Sequence, residues 1–225
     1  MSFSFNGNTP KSIIFNNQEV KKLIYNNDVV WEKKRLPDEY QEVEYIESTG
    51  TQWIDTGISP NILLKGEITI MPKRYGYPIG STNGQNKDYW GINFHSSNKF
   101  ECYLGSGTYP KESNWSLDTK YNIVINDNKK FYANNTLLTD FSNIQNNYNF
   151  NTNKNIYLFR MNYSNLTVGY FRFYNAKFWN NGEVVRDFVP CYRKSDNEIG
   201  MYDVVNNVFY TNAGTGTFTK GPDVN

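Results

Sequence analysis

Asp88-Tyr89-Trp90-Gly91-Ile92-Asn93-Phe94, followed across Ser96-Ser97-Asn98 by Lys99-Phe100-Glu101-Cys102-Tyr103-Leu104, reads as a β-hairpin. Apolar and polar residues alternate, aromatic and branched side chains dominate, and the connection is polar. The same grammar extends in both directions. Upstream stand Val43 to Glu47, Thr51 to Thr56, and Gly66 to Met71, which ends at Pro72. Downstream, Tyr121 to Ile125 and Lys130 to Ala133 flank Asn126-Asp127-Asn128, and Thr136-Leu137-Leu138 follows. Ile156 to Phe159, Gly169 to Trp179, Glu183 to Val189 and residues 199–209 continue the series to a terminal turn at Tyr210 to Gly214. Helical periodicity is nearly absent, and residues 143–148 read as loop. The expectation is an all-β fold, a two-sheet antiparallel jelly-roll sandwich over residues 36–225.

Ahead of it lies a shorter pattern. Ile14-Phe15-Asn16-Asn17-Gln18-Glu19-Val20 is echoed by Ile24-Tyr25-Asn26-Asn27-Asp28-Val29-Val30, and the copy closes on Trp31. Each unit sets an apolar-aromatic pair before an Asn-Asn turn and returns on valine, a hairpin signature because Asn tolerates left-handed backbone. Roughly ten apolar residues cannot enclose a core of their own. Residues 1–35 therefore read as a β-hairpin repeat that docks on something else, through Ile14, Phe15, Val20, Ile24, Tyr25, Val30 and Trp31. The charged run Glu32 to Arg35 and then Pro37 mark the boundary.

Composition narrows the class. The chain has 225 residues, Lys+Arg 23 against Asp+Glu 22, and a net charge of +1. That balance marks neither nucleic acid nor membrane as a partner. Aromatics form 17% of the chain, which favours strands. Asn pairs at 16–17, 26–27, 134–135, 146–147, 180–181 and 206–207 fall between apolar runs, as turns should, although a biased genome would also enrich Asn. Cys102 and Cys191 sit in apolar contexts; two buried thiols are the expectation, a disulfide the alternative. The first residues lack a basic start with an apolar core, and no apolar run approaches the ~20 residues of a membrane span. The product is expected to be made in a cytoplasm.

The run Leu36-Pro37-Asp38-Glu39-Tyr40 through Val43-Glu44-Tyr45-Ile46-Glu47-Ser48-Thr49-Gly50-Thr51-Gln52-Trp53-Ile54-Asp55-Thr56-Gly57 resembles the start of concanavalin A-like (laminin-G-like) jelly-roll domains of bacteriophage and prophage virion proteins. Arg186 to Cys191, Gly200 to Asp203, and Phe209 to Gly216 are similar to the end of those domains. Lys22 to Lys34 resembles short repeats that precede them in tail and fibre proteins. The resemblance implies a non-enzymatic virion structural protein, in fibre, tail or capsid decoration. Its partners would be other virion proteins, further copies of itself in a trimer or dimer, and a host-surface glycan. Dedicated receptor-binding lectin is the alternative, and glycoside hydrolase a more distant one.

The chemistry-bearing residues fit that reading. Glycosidases need two carboxylates across a groove, whereas Glu42, Glu44, Glu183 and Asp187 read as solvated faces. His95, the sole histidine, belongs to a turn with Ser96 and Ser97, and Gly105-Ser106-Gly107 lacks the helix and lysine of a phosphate loop. No catalytic residue, resident metal or cofactor is expected, with loop-bound calcium left open at Asp55, Asp88, Asp118, Asp127 or Asp203. Asn114, Asn134, Asn162 and Asn165 begin Asn-x-Ser/Thr triplets that carry little weight in so Asn-rich a chain. Sugar recognition uses aromatic faces with amides and carboxylates, and Tyr75, Tyr77, Asn86, Asp88, Tyr109 and Trp115 are the expected glycan-binding set. Trp53, Trp90 and Trp179 are expected in the core, Trp115 at the surface.

Overall fold

Strand alternation is realised throughout a computed structural model of the chain, which describes residues 4, 6–10, 12–20, 22–84, 87–106, 111–143, 150–163 and 169–224, without the side chains of residues 32, 111, 112 and 143. Among the described residues the strands pair antiparallel except Gly76–Ser81 with Arg160–Asn162, and the helical content is a 3-10 turn at Phe141–Asn143. Residues 144–148 of the expected loop lie outside the described set. Contacts divide the chain into two units, Met1–Asp38 and Glu39–Asn225.

The second unit is an all-β sandwich. Its larger sheet runs Thr136–Asp140, Lys130–Ala133, Tyr121–Asp127, Leu64–Pro72, Phe171–Asn180, Glu183–Arg193, Ile199–Asp203 and Val208–Tyr210. Tyr40–Glu42, Ile46–Glu47 and Thr219–Lys220 pair beside that path. The smaller sheet runs Lys111–Asn114, Lys99–Gly105, Tyr89–Phe94, Gly76–Ser81, Tyr157–Leu158 and Ile54–Asp55. Leu64–Pro72 shows how sequence selects the faces: Leu64, Ile68 and Ile70 are buried, while Lys65, Glu67, Thr69 and Met71 alternate with them on the outer side. Between the sheets Trp90 meets Phe178 at 6.2 Å and Phe94 meets Phe171 at 5.5 Å. A Cβ on Gly66 would stand 2.8 Å from the Trp90 ring, so glycine lets the opposite strand accept the indole. The indole N–H donates to the Leu64 carbonyl (3.1 Å), which removes the cost of burying it. Cys102 and Cys191 are buried and are not joined in a disulfide.

The two ends of this unit clasp each other. Asn212 Oδ1 accepts from the amides of Trp53 (3.2 Å) and Gly214 (2.8 Å). Ala213 N donates to Trp53 O, Thr215 N to Thr51 O, and buried Gln52 reaches Thr217 O. Gly214 lies flat against the Trp53 ring, where a Cβ would stand 2.5 Å from the indole.

The first unit contains two hairpins, Ile13–Phe15 with Gln18–Val20 and Lys22–Tyr25 with Asp28–Glu32. Asn16 and Asn17 have φ of 48° and 60°, and Asn26 and Asn27 have 50° and 66°, the two left-handed residues of a type I′ turn. Asn134 and Asn135 repeat the geometry in the sandwich. Asn6 and Gly7 share it as well (50° and 79°), so the turn recurs at 6, 16 and 26 rather than twice. Ile14, Phe15, Ile24 and Tyr25 are exposed, and Val20 and Val30 are half-buried. Trp31 departs from the expected docking set: it is buried, and its indole donates to Pro10 O at 2.7 Å, closing the unit on itself.

Candidate functional site

The outer face of the smaller sheet carries a second apolar cluster apart from the core, formed by Tyr89, Tyr103 and Met161 with Tyr77 and Tyr163 packed against it. Simple alternation explains most of it. In Tyr89–Phe94, Trp90, Ile92 and Phe94 belong to the core, which sends Tyr89, Gly91 and Asn93 outward. In Lys99–Gly105, Phe100, Cys102 and Leu104 do the same for Glu101 and Tyr103. Tyr77 needs more. Ile92 pairs with Ile79 and Phe94 with Gly76, so one extra residue bulges between them and turns Tyr77 away from the face that Ile79 occupies.

Space for the rings comes from Gly80 and Gly91, paired with each other. A Cβ on Gly91 would stand 2.5 Å from the Ile79 carbonyl, and one on Gly80 would stand 2.6 Å from the Met161 sulfur. Tyr89 and Tyr103 stack at 5.1 Å. The Tyr103 hydroxyl donates to Glu101 Oε2 (2.5 Å) and lies 3.1 Å from the Tyr77 hydroxyl, while Asn93 Nδ2 donates to the same carboxylate oxygen at 3.1 Å. Burial pushes both phenols above their ordinary range, Tyr103 far more than Tyr77, because a phenolate there would lose water and face Glu101.

Residues 157–163 extend the patch. Phe159 adopts φ 72° with its ring fully buried, 4.4 Å from Phe173 and 4.8 Å from Phe218. Left-handed backbone is costly for a bulky residue. Here it reverses the chain so that both Tyr157–Leu158 and Arg160–Asn162 pair with Gly76–Ser81. The turn sets the Arg160 guanidinium 4.6 Å from the Trp53 ring, with Tyr157 stacked on that indole at 6.2 Å. Lys154 Nζ sits 5.5 Å over Tyr163.

The expected glycan set is dispersed. Tyr77 joins the cluster. Asp88, at φ 47° just before Tyr89, accepts from the Asn83 amide at 2.9 Å, and its backbone N–H donates to the Ser106 hydroxyl at 3.1 Å. Tyr75 is exposed before the strand, under the Arg74 guanidinium. Asn86 and Tyr109 lie outside the described residues. Trp115 is corrected outright: it is 4% exposed, edge-on to Phe94 at 5.2 Å, its indole donating to His95 O. Its polar neighbours Asn114 and Ser116 disguised a core position. Of the three tryptophans expected in the core, Trp90 is fully enclosed, whereas Trp53 and Trp179 are half-buried. Tyr103, Glu101, Asn93, Tyr157 and Arg160 stand outside the expected set, and outward alternation opposite a strongly apolar face is the signal that could have found those on the strands.

The loop aspartates are engaged within the fold, Asp118 and Asp127 by Lys73 and Lys65. Asp203, fully buried, accepts from the amides of Asp187 and Val205, and Asp55 Oδ1 accepts from Gly57 N and the Asn155 amide. Among the described residues no three His, Cys, Asp or Glu side chains gather as a metal site. His95 Nδ1 pairs with Ser97 within its turn. Tyr89, Tyr103, Asn93 and Met161 are themselves buried in this cluster, so what the face presents is the half-buried Tyr77, Glu101, Tyr157, Arg160 and Tyr163, a set of aromatic, carboxylate and guanidinium groups suited to holding a polyhydroxylated ligand. Compared with models of known protein families and with curated proteins, the chain matches none.

Proposed function

We propose that the protein is a non-enzymatic bacteriophage virion component. Its N-terminal hairpin unit docks to other virion proteins, and its β-sandwich is displayed for attachment to host-surface carbohydrate. The carrying observation is the exposure of Ile14, Phe15, Ile24 and Tyr25 on hairpins of two strands each. An isolated two-stranded hairpin is marginal in water, and a partner strand would cover both the open edges and the apolar side chains. Copies of the chain gathered at a symmetry axis, as a trimer or dimer, would add burial. Removing residues 1–38 should leave a folded sandwich that no longer enters particles; normal incorporation of the truncated protein would refute the docking role.

A second reading, a dedicated receptor-binding lectin, is favoured by the tyrosine face around Glu101. Titration with host-surface polysaccharide separates it from a purely structural role: saturable binding that Glu101→Gln weakens supports the lectin, and no binding leaves the structural role alone. Hydrolysis would need a second carboxylate roughly 5–9.5 Å from the first.

A further inference from the structure

A cleft of about 300 Å³ opens on the larger sheet, walled by Leu63, Lys65, Asp127, Asn128, Trp179 and Gly182. It is formed where two turns lie side by side. One follows Tyr121–Asp127, with Asn126, Asn128 and Lys129 all left-handed, and the other is Asn181-Gly182 after Phe171–Asn180. Asn126 makes the shape permanent. Buried at 4% exposure, it donates both amide hydrogens, to Ile62 O and Leu64 O at 2.8 Å each, and its oxygen accepts from Lys129 N.

The lining has a distinct chemistry. Lys65 Nζ stands 3.1 Å from Asp127 Oδ1 and 5.3 Å from the Trp179 ring centroid. Lys177, also 5.5 Å from that ring, is neutralised by Asp187 at 3.0 Å. The cations are thus matched by carboxylates, so a phosphorylated ligand gains no net attraction there. A purely apolar ligand would strip water from the Lys65–Asp127 pair without replacing its hydrogen bonds. What fits is a small molecule with one apolar face and a rim of hydroxyls. Leu63, exposed at 56%, and Trp179 would meet the face. Asp127 would accept from a hydroxyl, Lys65 would donate to one, and the Asn128 amide, exposed at the rim, could do either.

We propose that this cleft is a binding site for a single neutral pyranose unit, separate from the tyrosine face of the smaller sheet. It does not depend on virion docking. The test follows the Trp179 indole resonance by NMR in the full chain during titration with methyl glycosides of glucose, galactose, mannose and N-acetylglucosamine. At least one should give a saturable shift. Trp179→Ala, followed through backbone amides of residues 126–129, should weaken that binding roughly tenfold. Asn128→Gly, which keeps the left-handed backbone and removes only the amide, should weaken it about three- to tenfold. Glu101→Gln on the other face should leave it unchanged, so loss of lectin activity there and loss of this site are read separately. No saturable shift with any of the four glycosides, or undiminished affinity in both cleft variants, would overturn the proposal.

Discussion

Asparagine carries more of this structure than its polar character suggests. Paired left-handed residues at 16–17, 26–27 and 134–135 give hairpins whose turn twist matches the strands they join. Alanine has no such tolerance, whereas glycine loses nothing by the change of sign. Asn135→Ala should therefore lower stability by about 1 kcal/mol, and Asn135→Gly should leave it nearly unchanged. Urea midpoints of the two variants decide the matter, and equal losses would mean that backbone handedness is not the reason for Asn there. These turns were legible from residue types, because the preference is local. Phe159 was not: nothing in its neighbours announces a left-handed phenylalanine, whose conformation is held by the core around its ring.

At the scale of the element, alternation reads one face of each strand from the other, and a bulge breaks the reading. Tyr77 shares parity with core residue Ile79, so only the extra residue in its pairing with Tyr89–Phe94 delivers it to the outer cluster. Trp115 fails oppositely, a lone aromatic between polar residues that the fold draws inward. Two substitutions probe the cluster. Gly91→Ala would place a Cβ against the Ile79 carbonyl at a backbone φ of 146°, and should cost about 2 kcal/mol or more. Tyr103→Phe removes a donor to Glu101 and should cost about 1 kcal/mol, measured by denaturant unfolding, while Tyr75→Phe on the exposed ring should change little.

For the whole molecule, burial of ionisable groups sets an alkaline limit. Tyr77 and Tyr103 titrate above their ordinary 10.0, and burial pushes the Cys191 thiol from 9.0 up to about 12. In the unfolded chain these groups lose protons at ordinary values, whereas the folded protein keeps them. Their contribution is thus complete below about pH 9 and declines as pH rises through the raised values. Thermal unfolding followed from about pH 8 to about pH 11 should show a falling midpoint, with tyrosinate absorbance from the buried pair arriving only as the protein unfolds. A midpoint flat across that range would show that these groups are not protected by the fold.

The sequence alone determined the all-β class and the Asn-Asn hairpin turns of the opening repeat, because alternation and left-handed turn propensity are properties of neighbouring residues. Tertiary structure alone decided which aromatics face outward and which chemistry gathers. Tyr103 and Glu101 gain Tyr77 through a bulge in a neighbouring strand, and Trp179 gains Asp127 and Asn128 from a turn distant in sequence. Such groupings depend on how strands far apart in the chain are registered against one another, and register is set by the packing of the whole sandwich.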